Sequence, residues 1–196
     1  MKESFVFLAE GFEEMEAICV IDILRRAGIK VRTVSITSSL QVTGAHGISV
    51  KADVLFDNTL FSDPEWLILP GGLPGATNLH DFAPLQGLLE RQAVSEEGRL
   101  AAICASPAEV LGRLGLLKGK KATCYPGFEE KLQEAEYVDR PVVVDGKFVT
   151  GNGPSSAMSW ALTIVEETKG TDAAMEVANG MLLYPVDPRT LSNYFG

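Results

Sequence analysis

Cys104 stands in the run Arg99-Leu-Ala-Ala-Ile-Cys-Ala-Ser-Pro107, and its setting is what gives it chemistry. The apolar residues 100–103 read as a buried strand, and Pro107 suits the first turn of a helix. Cys104 then sits at a strand-to-helix turn, the shape of a nucleophile elbow. Backbone N–H groups and the positive end of a helix dipole at such a turn favour thiolate over thiol, which predicts a nucleophilic and oxidisable sulfur. The plain alternative is a buried, inert cysteine. A second cluster, Glu13-Glu-Met-Glu16, opens a helical stretch. Acidic residues there match the helix dipole, and this accounts for Glu14. Glu16 differs because it shares a helix face with Glu13, Cys19 and apolar residues. A carboxyl on a buried face tends to keep its proton and could then donate to a neighbouring sulfur; ionised, it would serve as a general base.

The elements that must position these groups alternate between strand-like and helix-like patterns. Strands are expected at residues 5–9, 31–37, 66–70, 100–103, 122–125, 142–144 and 148–150, with a small hairpin over 40–50 turning at 44–47. Helices are expected at 13–27, 75–80, 84–95, 107–114, 155–168 and 172–183. In the first of these, Met15, Ile18, Cys19, Ile21 and Leu24 cover an apolar side, with Gly28 as its stop. This alternation predicts an α/β fold with a mostly parallel sheet covered by helices on both faces. Ligands in such sheets bind beyond the carboxyl ends of the strands. Residues 10–13, Pro70-Gly-Gly72 and Cys104 all fall at such ends.

The chain has 196 residues, which suits one domain spanning 1–196. Its net charge of −9 disfavours nucleic acid and anionic membrane surfaces as partners. No apolar run has membrane-spanning length, and Glu10 interrupts the apolar start before it could form a signal-peptide core. A cytoplasmic location is the resulting expectation. Cys19, Cys104 and Cys124 lack metal-ligand spacing and read as reduced thiols, and His46 and His80 complete no zinc pattern, so no metal or other cofactor is expected.

Together, Ala9-Glu-Gly-Phe-Glu-Glu-Met-Glu16, Leu69-Pro-Gly-Gly72 with Gly75-Ala76, Ala101-Ala-Ile-Cys-Ala-Ser-Pro107 and Gly153-Pro154 resemble the ThiJ/PfpI superfamily. The branch is that of the parkinsonism-associated redox protein and bacterial YajL. The resemblance covers residues 5 to about 167, and the tail 182–196 looks somewhat like the aromatic tail of bacterial members. It implies a flavodoxin-like three-layer sandwich forming a homodimer. It also implies that Cys104 is the oxidisable nucleophile, that Glu16 is hydrogen-bonded to its sulfur, and that the N–H groups of Gly72 and Ala105 form an anion pocket. Arg26 and His46 match positions near the dimer interface close to the pocket, where the residue matching His46 is often arginine. Cys124 matches a position beside the pocket, where it could resolve a sulfenic acid or simply be packed. Cys19 reads as core or interface, Trp66 and Trp160 as structural, and His80 as a surface residue.

One departure bears on activity. The family often has a histidine before a proline where this chain has Tyr125, and a tyrosine, with a pKa near 10 in water, is a poor proton shuttle at neutral pH. Both histidines precede Cys104, which counts against the protease branch and against class I glutamine amidotransferases. What the resemblance implies is thus a glyoxalase or deglycase-like activity on 2-oxoaldehydes through Cys104 and Glu16. Its rival is a stress-related redox or chaperone-like role with Cys104 oxidised to sulfinic acid. Labels of thiazole or thiamine biosynthesis and of intracellular protease also attach to the family. The expected partners are a second copy of the chain and a small carbonyl compound or oxidant.

Overall fold

The computed structural model describes residues 2–183. The tail likened above to bacterial members lies mostly in residues 184–196, outside the described residues. In chain order the elements are β1 (Glu3–Leu8), α1 (Glu14–Arg26), β2 (Val31–Ser35), β3 (Gln41–Thr43), β4 (Ser49–Lys51), β5 (Val54–Leu55), β6 (Pro64–Leu69), α2 (Gly75–Asp81) and α3 (Ala83–Val94). They continue with β7 (Arg99–Ile103), β8 (Lys121–Ala122), β9 (Glu136–Tyr137), β10 (Val142–Asp145), β11 (Phe148–Gly151), α4 (Ala157–Lys169) and α5 (Thr171–Gly180).

Seven strands form the central sheet in the order β10-β11-β7-β6-β1-β2-β5. Every neighbouring pair is parallel except β10 with β11. Strand residues divide by parity between two cores, as a period of two requires. Val6, Leu8, Trp66, Ile68, Ala101 and Ile103 pack with α1 and α4 on one side. Phe5, Phe7, Leu67, Leu69, Leu100 and Ala102 pack with α2 and α3 on the other. This is the mostly parallel, doubly covered flavodoxin-like α/β sheet expected. Both tryptophans are structural: Trp66 Nε1 donates to Thr168 Oγ1 at 2.8 Å and Trp160 Nε1 to the Val149 carbonyl at 3.2 Å. The chain leaves β1 toward β2 on one side, and β6 flanks β1 on the other. This reversal opens a crevice at the strands' carboxyl ends.

Three expectations need correction. The stretch 107–114 is not an amphipathic α-helix. It is a π-helical segment, Pro107–Gly112, with all six residues buried. Wide-spaced bonds, such as Arg113 N–H to the Ala108 carbonyl at 3.2 Å, carry it onward. The strand at 122–125 shrinks to Lys121–Ala122, because the Tyr125 N–H donates to the Cys104 carbonyl at 2.8 Å instead of continuing a ladder. In α1 the buried stripe is Ala17, Val20, Ile21, Ile23 and Leu24, whereas Met15 and Ile18 are 63% and 46% exposed. The helix carries two apolar faces, so periodicity alone could not tell which one meets the sheet. Among smaller differences, His80 is partly buried at the end of α2 rather than on the surface. No helix among the described residues is long and apolar enough to cross a membrane.

Candidate active site

Cys104 follows β7 directly and adopts φ +64, a left-handed conformation that costs a non-glycine residue about 1–2 kcal/mol. Its backbone is fixed from both sides. Its N–H donates to the Gly151 carbonyl at 2.9 Å, and its carbonyl accepts from Tyr125 N–H at 2.8 Å. Next to it, Ser106 Oγ donates to the Pro70 carbonyl at 2.5 Å, tying the turn to the end of β6. Gly71 leaves the room the arrangement needs. A Cβ there would stand 2.5 Å from Cys104 Cβ and 2.9 Å from Glu16 Oε2. The result turns the sulfur out of the sheet and into the crevice.

α1 brings the carboxyl. Glu13 caps the helix, its Oε2 accepting from Glu16 N–H at 2.7 Å, so the first turn is rigid where Glu16 begins. Glu16 is wholly buried. Its Oε2 accepts from Gly71 N–H at 2.7 Å, Oε1 has no hydrogen-bond partner, and the carboxyl neighbours the Cys104 thiol. Burial pushes the Glu16 carboxyl up to about 7, against the pull of the Gly71 bond. The Cys104 thiol is also pushed up, by burial first and then by the charge of Glu16, while the N–H groups of Gly72 and Ala105 at the sulfur pull the other way. The expectation that the turn favours thiolate over thiol is therefore corrected. Burial, with the Glu16 carboxylate beside it, outweighs the N–H groups and the short helical segment that follows.

The sulfur opens onto a cleft of about 270 Å³ lined by Glu13, Ala45, His46, Gly72, Leu73, Cys104, Ala105, Tyr125 and Phe128. Of the expected site residues, Glu13, Gly72, Ala105, His46 and Tyr125 thus meet at Cys104. The Tyr125 ring packs edge-on against Phe128, with centroids 6.4 Å apart, and gives the cleft an aromatic wall. Two expected residues are not brought there. Arg26 lies ten residues along α1 from Glu16, about 15 Å at helical rise, and pairs with Asp22 at 2.7 Å. Cys124 is fully buried, with its side chain in the α2/α3 core rather than in the cleft. Burial pushes its thiol up to about 12, which suits a packing residue.

Sequence reasoning missed Glu14, taken there only as a match for the helix dipole. Its side chain is buried, and it clamps the β3–β4 turn. Oε1 accepts from His46 N–H at 2.7 Å and Ile48 N–H at 3.3 Å, while Oε2 meets His46 Nδ1 at 2.8 Å. The signal was present in Gly44, whose absent side chain lets the carboxyl approach: a Cβ there would lie 2.3 Å from Glu14 Cδ. Glu13, Glu14 and His46 also offer ligand atoms within 4.8 Å of one another, the described residues' one candidate set for a metal ion. The bonds just described hold Glu14 against His46, while Glu13 is committed to capping α1.

The sequence profile of the DJ-1/PfpI family matches residues 2–167. The chain is 41% identical over 186 residues to Protein DJ-1 homolog B of Arabidopsis thaliana, covering 94% of this chain and 42% of that protein. It thus spans about half the length of the curated plant relatives it matches. It is 35% identical over 164 residues to a protein of Pyrococcus horikoshii named a deglycase, covering 82% of this chain and 96% of that one. The solved structure of oxidized DJ-1 from Toxoplasma gondii superimposes with a TM-score of 0.89 at 37% identity, covering 94% of this chain and all of that one.

The raised carboxyl has a consequence for stability. Folded Glu16 keeps its proton to about pH 7, whereas in the unfolded chain it loses it near 4.5. The folded state therefore binds the extra proton between these values, and Glu16's contribution to stability falls as pH rises through that window. Glu16→Gln removes this dependence. Urea midpoints from pH 4.5 to 8 are expected to shift in favour of the variant as pH rises, relative to wild type. A constant difference across the range would contradict the assignment.

Proposed function

The chain belongs to the DJ-1/PfpI family, and from that membership we propose that it is a cysteine-dependent enzyme of glyoxalase or deglycase type acting on 2-oxoaldehydes. The observation that carries this reading is the wholly buried Glu16 carboxyl beside a thiol that the N–H groups of Gly72 and Ala105 also approach. A 2-oxoaldehyde has two adjacent carbonyl carbons, and its conversion to a 2-hydroxy acid moves a hydrogen from one carbon to the other. That requires one nucleophile and one base on the same side of a small substrate.

The steps balance without a cofactor. Cys104 Sγ adds to the aldehyde carbon, and the thiol proton passes to the aldehyde oxygen, giving a hemithioacetal. Glu16, as carboxylate, removes the hydrogen on that carbon as a proton while the ketone oxygen gains a proton, leaving an enediol. It returns the proton to the neighbouring carbon, which was the ketone, as the hydroxyl on the first carbon gives up its own. The first carbon is thereby oxidised to a thioester and the second reduced to an alcohol. Water then cleaves the C–S bond, releasing the 2-hydroxy acid and restoring the thiol. The N–H groups of Gly72 and Ala105 would stabilise oxygen charge as it develops. The name of the Pyrococcus horikoshii relative, a deglycase, supports the deglycase side of this reading.

A second reading is favoured by the same two N–H groups. They, with a protonated Glu16, would hold the oxygens of a sulfinic acid formed when an oxidant attacks Cys104. The homodimer remains a proposal, supported by the outer face of α1. There Met15, Ile18, Cys19, Met158 and Met181 line an apolar groove of about 470 Å³.

Three outcomes are expected. Methylglyoxal is converted to lactate by wild type, while Cys104→Ala abolishes turnover and Glu16→Gln lowers kcat about a hundredfold or more, with circular dichroism unchanged; an active Cys104→Ala protein would end the enzyme reading. Mild peroxide adds two oxygens to Cys104 by intact mass, and an unmodified Cys104 under conditions that oxidise glutathione argues against redox sensing. Sedimentation gives a dimer that Ile18→Asp converts to monomer; a wild-type monomer at micromolar concentration contradicts the pairing.

A further inference from the structure

The β3–β4 turn delivers an imidazole to the cleft and backs it with a buried carboxylate. His46 and Cys104 line the same cleft. His46 Nδ1 lies 2.8 Å from Glu14 Oε2, while the other oxygen of Glu14 holds the His46 backbone N–H at 2.7 Å. Three further bonds lock the turn. Ala45 N–H donates to the Phe12 carbonyl at 2.8 Å, Gly44 N–H to the Ile48 carbonyl at 2.9 Å, and Gly11 N–H to the Thr43 carbonyl at 2.8 Å. With Nδ1–H committed to Glu14, Nε2 is the ring nitrogen free to exchange protons. A carboxylate behind an imidazole fixes the tautomer and stabilises the imidazolium.

We propose that Glu14 and His46 of one chain form a carboxylate–imidazole dyad that carries the oxygen-bound protons of the reaction at Cys104. It rests on the Cys104 chemistry proposed above and answers the tyrosine at position 125. Glu16 can move only one proton between the two carbons. The substrate oxygens also gain and lose protons, work for which an imidazole suits neutral pH better than a phenol does. His46 as imidazolium donates from Nε2 to the ketone oxygen as the enediol forms. It takes back the proton of the first carbon's hydroxyl as the thioester carbonyl forms, so the dyad ends the isomerisation as it began, and the water that then cleaves the thioester supplies the proton of the departing thiol. Glu14 touches no substrate and is a positioning residue.

The groups that bear on His46 are nearly all acidic. Glu14 and Glu13 face it from α1, both raising its proton affinity, Glu14 most strongly through the hydrogen bond. Cys104 and Tyr125 share the cleft, Glu16 lies behind Cys104, and on its own hairpin Lys51 sits at the far end of β4. The imidazolium therefore persists above the ordinary histidine range, and acid catalysis by it fades as pH rises through its raised pKa.

The test uses the full chain. In wild type, kcat for lactate formation is expected to fall with rising pH at the pKa read independently from the His46 ring nitrogens by NMR. His46→Asn, at an exposed position, is expected to lower kcat about a hundredfold and remove that limb. Glu14→Gln is expected to move the limb to lower pH; should it loosen the turn, the His46→Asn result stands by itself. An Asn variant with wild-type kcat and an unchanged limb overturns the dyad. If wild type turns over no 2-oxoaldehyde, the proposed reaction fails and the dyad is judged by iodoacetamide alkylation of Cys104. An inflection at the His46 titration that His46→Asn abolishes supports the dyad, and superimposable profiles overturn it.

Discussion

A carboxyl group with no solvent exposure is costly to bury, and Glu16 is buried with only one of its oxygens bonded, to Gly71 N–H. Much of the surrounding structure can be understood as what that burial requires. Glu13 must cap α1 so that Glu16 leaves the first turn in one direction. Gly71 must lack a side chain so that β6 can end between the carboxyl and the sulfur. Cys104 must hold φ +64 to turn its thiol toward the carboxyl, and the Gly151 carbonyl and the Tyr125 N–H on either side hold it there. The sheet topology brings these pieces together from four separate strands. The crevice where the parallel strands diverge is the one place where β1, β6, β7 and β11 all end.

Two carboxylates in the first turn of α1 meet opposite fates. Burial pushes both upward. For Glu14 the bonds from His46 and Ile48 outweigh it and hold the carboxyl below the usual range, so it stays charged. For Glu16 a single amide does not, and the proton stays. The separation assigns roles by environment rather than by residue type. Glu14 is a fixed negative charge that supports an imidazole. Glu16 is a carboxyl poised to gain or lose a proton near neutrality, beside the Cys104 thiol.

The architecture was legible because β-strand and helix periods differ and most long elements carried a clear one. The parity split between Phe5/Phe7 and Val6/Leu8 can be read directly from the residues. Cys104 and the Gly71-Gly72 turn were legible as strand-end residues, and Glu16 as a carboxyl on the apolar face of the first helix. What the sequence withheld depended on pairings between distant segments. Nothing local to Glu14 announces the turn around His46, 32 residues away. Nothing local to Ile18 says that its face of α1 lies outside the core while Val20 lies inside. The sign of the effect on Cys104 also needed the fold. A turn of N–H groups is visible in sequence, but the depth of burial and the carboxyl beside it are not.

The most direct test of this account is the ionisation of Glu16 itself. In protein labelled with carboxyl-13C glutamate, the Glu16 resonance is assigned by its loss in Glu16→Gln and followed from pH 4 to 9. A titration near neutrality that moves when Cys104 is replaced by alanine is expected, because the thiol and the carboxyl influence each other's ionisation. A Glu16 resonance that titrates near 4.5 and ignores the substitution would contradict it.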